Sequence, residues 1–389
     1  MKDVMKKDET KKERIVSFDA FRFILALCVV WGHTFLTLFR QNKTELFCIQ
    51  NLAVDGFFIL SGFLMALSYS QYQSTDEDVD VSFIRFVFHK VKRLWAEYIF
   101  ALILYLSILG IWRHYHTQDI FLNAIFLGGI NKVPDIIIGA WYVSVLFWTS
   151  CIYSALLFYK KKIAIYILIP LISFFSFTFM YTKWTGLSLN SKPLIDDTFS
   201  AGFLKGFLGL GIGISLFFIC ERIKKSFCFL RYPKTIFSIL EITSIYLLIF
   251  CFFSRKLFQR EYIIYMIYPI ILSILYFKKE FFLKFFSWKL WFPVAPTAYM
   301  LYLTHCILLE IIKKYISYKN YSETVVYVMV MIFCVVFAYI CYHVQKWLFA
   351  KLKQILFIPQ SSQTTENLRG TALAESNQTM VQSEKSSVL

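Results

Sequence analysis

The sequence predicts an all-α integral membrane protein, a bundle of about ten transmembrane helices with both termini in the cytoplasm. Of its 389 residues, 58% are hydrophobic and only 17% are charged, and the mean hydropathy is +0.58. The apolar residues recur in runs of roughly 18 to 25 residues, long enough to cross a hydrocarbon core of about 30 Å as a helix. Aromatic residues make up 20% of the chain, which is also typical of a membrane-embedded protein.

Ten apolar segments are predicted to span the membrane. In chain order they are residues 17–39, 46–70, 94–112, 139–159, 163–182, 199–220, 235–253, 261–277, 293–312 and 323–348. With the N-terminus inside, about 25 Lys and Arg residues fall in cytoplasmic segments and about 12 in outer loops, which supports this orientation. The net charge of +16 is explained by basic loops beside anionic lipid, so no nucleic-acid partner is expected.

Three parts of the chain differ in composition. Residues 1–16 form a basic cytoplasmic segment, 17–353 the membrane domain, and 354–389 a polar tail that is expected to be disordered. The nine cysteines fall mostly inside predicted spans, where they are interpreted as small packing residues. Neither the cysteines nor the histidines have the sequence spacing of a metal site, so no metal is expected.

Four ionisable residues accompany the first apolar segment: Arg14, Asp19, Arg22 and His33. Such side chains are costly in a membrane, which favours a functional interpretation. Asp19 and Arg22 lie one helical turn apart, so we expect them to form an ion pair. The helical rise separates Arg22 from His33 by about 16 Å, with His33 in the outer half. His33 is predicted to be a general base, and the alternative is a histidine hydrogen-bonded between helices.

The second predicted span, which includes NLAVDGFFILSGF, carries Asp55. In an antiparallel neighbour of the first helix, Asp55 lies about 13 Å below the outer surface, and His33 lies about 9 Å below it. This similar depth leads to the hypothesis that Asp55 orients His33. Ser61 and Gly62 in the same segment are interpreted as small residues that allow close helix packing.

The pattern R-x4-D-x2-R-x10-H, formed by Arg14, Asp19, Arg22 and His33, resembles the first helix of acyltransferase family 3. Members of this family are polytopic membrane enzymes that acylate sugars and other hydroxyl acceptors. VDGFFILSGFL resembles the family's second-helix motif. The resemblance implies that His33, Asp55 and Asp19 take part in catalysis. It also implies that Arg14 and Arg22 bind the phosphates of an acyl-CoA donor.

A basic segment before the third span, FIRFVFHKVKRLWAEYIF, is similar to the Arg-rich element of the family. Arg93 and Tyr98 stand at matching positions, whereas His89 and Lys90 replace two arginines. Lys90 and Arg93 are expected to bind the nucleotide end of the donor, because their charges suit phosphate groups. The alternative is an ordinary basic flank of a membrane span, with Arg93 paired to Glu97.

Two further segments resemble family motifs, GAWYVS in the fourth span and PTAYMLYLTH in the ninth. The resemblance implies that Trp141, Ser144, Tyr302 and His305 contact the substrate. The alternatives are an interfacial aromatic belt for Trp141 and interhelical hydrogen bonding for His305. Val145 stands where many members have a glutamate, which implies the stand-alone form without a fused hydrolase-like domain.

The resemblance implies an acyl-CoA-dependent O-acyltransferase of a bacterial cytoplasmic membrane. The donor is expected to be acetyl-CoA or another acyl-CoA, and the acceptor a hydroxyl of a cell-surface glycan or glycolipid precursor. Succinyl transfer and acylation of a small molecule are alternatives within this class. A glycan or lipid exporter is an alternative of another class, because buried charges can also line a passage. The prolines do not recur at one offset, which argues against an exporter built from two repeats.

Overall fold

The computed structural model describes residues 16–39, 49–72, 78–110, 115–130, 133–183, 200–225, 234–253, 260–277 and 283–356. Most of these residues are helical. In chain order the helices are α1 (Val16–Thr34), α2 (Ile49–Tyr72), α3 (Val79–Ile108), α4 (Thr117–Ala124), α5 (Trp141–Ile163), α6 (Ile169–Lys183), α7 (Gly202–Lys225), α8 (Lys234–Phe253), α9 (Ile264–Phe277), α10 (Ala298–Tyr315) and α11 (Glu323–Leu356).

Seven helical runs within the described residues are long and apolar enough to cross a membrane. They are Val16–Phe39, Gln50–Tyr72, Trp141–Thr182, Gly202–Lys225, Thr235–Phe252, Ala295–Tyr315 and Glu323–Gln354. The prediction of an all-α, multi-pass membrane protein is therefore confirmed. The total of ten spans and the cytoplasmic position of both termini stay predictions.

The predicted spans 139–159 and 163–182 lie in one helical run of 42 residues. Lys160 interrupts that run with non-helical backbone angles, φ −139° and ψ 44°, and a π-helical turn follows at Ala164–Leu168. A straight helix of this length would measure about 63 Å, far more than the thickness of a bilayer. Because α5 and α6 both pack against α7, the kink at Lys160 divides the run into two helices.

Helices α2 and α7 approach each other backbone to backbone. A Cβ atom at Gly62 would meet the backbone of Leu210, and one at Gly213 would meet the backbone of Ile59. Only glycine, which has no side chain, allows two helices to pack this closely. The prediction that Gly62 serves close helix packing is confirmed.

Helix α1 lies against both α2 and α10, and this arrangement positions the candidate site. The chain divides into two compact units, Met1–Tyr342 and His343–Leu389, and the first contains every site residue described below. In the second, residues 343–356 are helical. The predicted basic segment 1–16 lies outside the described residues apart from Val16, which begins α1. The predicted tail 354–389 also lies outside them, apart from residues 354–356 at the end of α11.

Candidate active site

The last turn of α1 brings His33 against His305 on α10. The Nδ1 atom of His33 lies 2.7 Å from the Nε2 atom of His305. The ring centroids are 5.0 Å apart and the ring planes differ by only 14°, as expected for two imidazoles that meet edge to edge. The nitrogen lone pairs therefore lie along the line that joins the two rings, which is the geometry of a direct hydrogen bond.

The backbone of α10 determines which nitrogen atoms of this pair carry protons. The Nδ1 atom of His305 lies 2.7 Å from the carbonyl oxygen of Tyr302 and 3.2 Å from that of Leu301. Carbonyl oxygens only accept, so this nitrogen carries a proton, and the neutral ring presents a lone pair at Nε2. His33 must then donate its Nδ1–H to His305. This assignment from the hydrogen-bond network leaves Nε2 of His33 as an unprotonated nitrogen that can accept a proton.

Asp55 is not the hydrogen-bond partner of His33. Its Oδ1 atom lies 3.2 Å from Nζ of Lys205 on α7 and accepts a hydrogen bond from the Tyr265 hydroxyl at 3.0 Å. The side chains of Asp55 and Lys205 are fully buried. The predicted pairing of Asp55 with His33 is wrong, because a similar depth in two helices does not fix their rotation. The position that was predicted for Asp55 is taken by His305.

A group of cations lies nearer the start of α1. Arg22 forms the predicted ion pair with Asp19, with 3.4 Å between Nη1 and Oδ1. Arg93 is within electrostatic range of Arg22 and of Lys90. Arg93 is exposed, while Arg22 and Lys90 are half-buried. Three positive charges from α1 and α3 therefore converge here, and the carboxylates of Asp19 and Glu97 are both within electrostatic range of Arg22. Arg14, the fourth predicted donor-binding residue, lies outside the described residues.

Aromatic side chains connect this cationic group to the histidine pair. Tyr142 is within electrostatic range of Arg22, and its ring centroid lies 5.3 Å from that of Tyr302. The Tyr302 ring lies 6.1 Å from that of His305. Phe57 contacts both tyrosines, at 5.8 Å and 5.9 Å between ring centroids. The predicted residues Tyr302 and His305 therefore belong to one continuous set of ring contacts, and Arg22 lies within electrostatic range of it.

Trp141 and Ser144 are more enclosed than the sequence suggests. Trp141 is buried and its ring lies 6.4 Å from that of Phe58, which does not fit an interfacial aromatic belt. Ser144 is fully buried and donates its hydroxyl to the carbonyl of Gly128 at 2.8 Å. This geometry gives Ser144 a packing role, and substrate contact by these two residues stays a prediction.

Comparison with protein families gives one decisive result. A family model described as an acyltransferase domain, Acyl_transf_3, matches residues 15–343. The chain belongs to the acyltransferase 3 family. The matched region includes the histidine pair and the cations of α1 and α3, so the resemblance in the sequence motifs is confirmed at the level of the family. No curated protein and no solved structure matches the chain.

In this acyltransferase, the loop before α5 is tied to α10 through Gly139. The N–H of Gly139 donates to Oδ2 of Asp135 at 2.9 Å, and its carbonyl accepts a hydrogen bond from the Tyr302 hydroxyl at 2.8 Å. Gly139 has a φ of +88°, a left-handed conformation that favours glycine. Burial raises the pKa of Asp135 to about 7, against the opposing effect of backbone N–H groups at residues 139–141.

We expect Asp135 to make the acyltransferase less stable as the pH rises from about 4 to about 7. In this window the folded state keeps the carboxyl proton that the unfolded state has already lost, so unfolding releases protons and becomes more favourable at higher pH. The variant Asp135→Asn has the same shape and does not titrate, so it should not show this loss of stability with rising pH. Unfolding temperatures in detergent at pH 5, 6 and 7 test it, and identical pH profiles for both proteins would contradict it.

Three polar residues that contact the residues described above were not identified from the sequence. They are Lys205 beside Asp55, Asp135 beside Gly139, and Cys306 beside the histidine pair. The Cys306 thiol lies 3.2 Å from Nε2 of His305 and 3.6 Å from Nδ1 of His33. Lys205 carried a usable signal, because a lysine within the apolar run SAGFLKGFLGLG needs a buried partner. The other two had none, since an aspartate in a polar loop and a cysteine in an apolar helix are both common.

Proposed function

We propose that this acyltransferase moves an acyl group, with acetyl expected, from acyl-CoA to a hydroxyl of a cell-surface glycan or glycolipid precursor. The observation that carries the proposal is the hydrogen bond between His33 and His305, because it orients His33 as a base. A hydroxyl group is a weak nucleophile, and general-base catalysis removes its proton as it attacks.

In the proposed step, Nε2 of His33 accepts the proton of the acceptor hydroxyl. The hydroxyl oxygen attacks the carbonyl carbon of the thioester, the new C–O bond forms, and the C–S bond to coenzyme A breaks. The proton then passes from His33 to the leaving thiolate, so that the free thiol and the ester are the products. Throughout the step, His305 acts as a positioning residue that accepts the Nδ1–H of His33.

We place the phosphates of the donor at Arg22, Lys90 and Arg93, with Arg14 as a further candidate. Guanidinium and ammonium groups bind phosphate through charge-assisted hydrogen bonds. Arg22 and His33 are separated by about 16 Å along α1, a distance that an extended pantetheine arm can cover. Contacts of Tyr142 and Tyr302 between the two places support a path for that arm.

We infer ten membrane spans with both termini on the cytoplasmic side of a bacterial cell membrane. The kink at Lys160 turns one of the seven apolar runs into two spans. The shorter apolar helix α9 and the second half of α3 supply the other two. The excess of Lys and Arg in the segments placed inside supports this orientation. It puts the donor phosphates on the cytoplasmic side and the histidine pair in the outer half.

The proposal is tested in cells that contain the wild-type protein, the variant His33→Ala or neither, with the two proteins at equal membrane levels. Base-labile acyl groups on surface glycans are measured by mass spectrometry, and the added mass identifies the group. We expect these acyl groups only in cells with the wild-type protein. Equal acylation in all three would overturn glycan acylation and favour a small-molecule acceptor or export.

A further inference from the structure

Three metal-ligating side chains converge where α1 meets α10. The nitrogen atoms of His33 and His305 and the sulfur of Cys306 all lie within 4.8 Å of one another. His305 and Cys306 are buried, and His33 is partly exposed. Two imidazoles and one thiolate form a ligand set that Zn²⁺ prefers. The partly exposed ring gives an ion a side from which to approach.

The distances between the ligand atoms are close to those of a zinc site. Tetrahedral Zn²⁺, with nitrogen at about 2.0 Å and sulfur at about 2.3 Å, places neighbouring ligand atoms about 3.3 to 3.5 Å apart. The sulfur of Cys306 lies 3.2 Å and 3.6 Å from the two nitrogens. The nitrogens of His33 and His305 are 2.7 Å apart and need to separate by about half an ångström, a change that small side-chain rotations can supply.

Neighbouring groups orient these ligand atoms and affect their electrostatic surroundings. The Tyr302 carbonyl accepts the Nδ1–H of His305 at 2.7 Å, which directs the Nε2 lone pair into the cluster, as backbone carbonyls do for zinc-binding histidines. Cys306 is also within electrostatic range of the Asp135 carboxyl. A thiolate at Cys306 offsets one of the two charges of Zn²⁺.

We propose that His33, His305 and Cys306 form a Zn²⁺ site, and that the bound ion stops acyl transfer. Binding to Cys306 releases the thiol proton, and binding to Nδ1 of His33 requires a lone pair there. The proton of His33 must therefore move to Nε2, which can then no longer accept the proton of the acceptor hydroxyl. The inhibition rests on the proposed function of His33, whereas the binding of the ion does not.

Binding is tested with Co²⁺ added to the full-length protein in detergent after treatment with a chelator. We expect one Co²⁺ per chain, with a thiolate-to-cobalt charge-transfer band that Zn²⁺ removes by displacement. The variant Cys306→Ala should lose this band, while Cys151→Ala, which changes a cysteine of α5 outside the cluster, should keep it. The variant Cys306→Ser, of nearly native volume, should also lack the band. Absence of stoichiometric binding, or an unchanged band in Cys306→Ala, would overturn the site.

Inhibition is tested by titrating Zn²⁺ during acyl transfer. We expect Zn²⁺ to inhibit the wild-type protein reversibly, with recovery on adding a chelator, and to act at least about tenfold more weakly on Cys306→Ala. For each protein the activity with Zn²⁺ is compared with the activity of the same protein without Zn²⁺, so a change in the basal rate of this variant does not affect the comparison. Transfer that is insensitive to Zn²⁺ would overturn the inhibition and leave the proposed function intact. A protein that binds Co²⁺ but transfers no acyl group would keep the site and overturn the function.

Discussion

Replacing His305 by leucine is expected to lower the rate of acyl transfer by about 10²- to 10⁴-fold. His305 holds His33 in the tautomer that leaves Nε2 unprotonated, and leucine offers no lone pair to accept the Nδ1–H. Without that acceptor the ring of His33 can rotate and carry its proton on either nitrogen. The rate is measured as kcat with purified protein and a saturating acyl-CoA donor.

The variant His305→Gln separates positioning from simple packing. Its Oε1 atom can reach the place of the His305 Nε2 atom and accept the Nδ1–H of His33. We therefore expect it to retain at least tenfold more activity than the leucine variant. Because Arg22, one of the cations that are proposed to bind the donor, lies about 16 Å from His33 along α1, the dissociation constant for coenzyme A should stay within about twofold in both variants. Equal losses of kcat in the two variants would contradict the positioning role.

Replacing Lys205 by methionine is expected to lower the free energy of unfolding by about 3 to 5 kcal/mol. The change leaves the fully buried carboxylate of Asp55 without its cation, which is costly in an apolar environment. In the double variant Asp55→Asn with Lys205→Met no charge remains, and most of the lost stability should return. Thermal and denaturant unfolding in detergent measure both effects.

The control for this pair is Lys225→Met, which changes an exposed lysine at the end of the same helix. Its effect on the free energy of unfolding should stay within about 0.5 kcal/mol. A double variant no more stable than Lys205→Met alone would show that the charge of Asp55 is not what destabilises the single variant.

The course of the helices was largely predictable from the sequence, because a span needs a long apolar run and the chain has many. The sequence did not predict that the spans 139–159 and 163–182 lie in one helical run, since this depends on the backbone angles at Lys160 and on contacts with α7. The predicted span 94–112 lies largely within α3, which begins at Val79. The first half of α3 carries several charged residues, so a criterion based on mean hydropathy does not identify α3 as a membrane span.

The candidate site was predictable in part. Charges in the first apolar run identified Arg22 and His33 as unusual, and the pairing with Asp19 followed from helical spacing. The partner of His33 could not be derived, because contacts between helices depend on rotation about each axis, which depth alone does not determine. For the same reason sequence spacing indicated no metal ligands, although the fold brings together residues more than 270 positions apart.

The glycine contacts between α2 and α7 also limit where substrates can travel. Because the two backbones touch at Gly62 and Gly213, the contact between these helices leaves no room for a pantetheine arm. The route that we propose for the donor arm, from Arg22 to the histidine pair, therefore follows the other side of α2, along α1, α5 and α10. Bulky substitutions at Tyr142 or Tyr302 would obstruct that route, whereas the contact between α2 and α7 would remain unchanged.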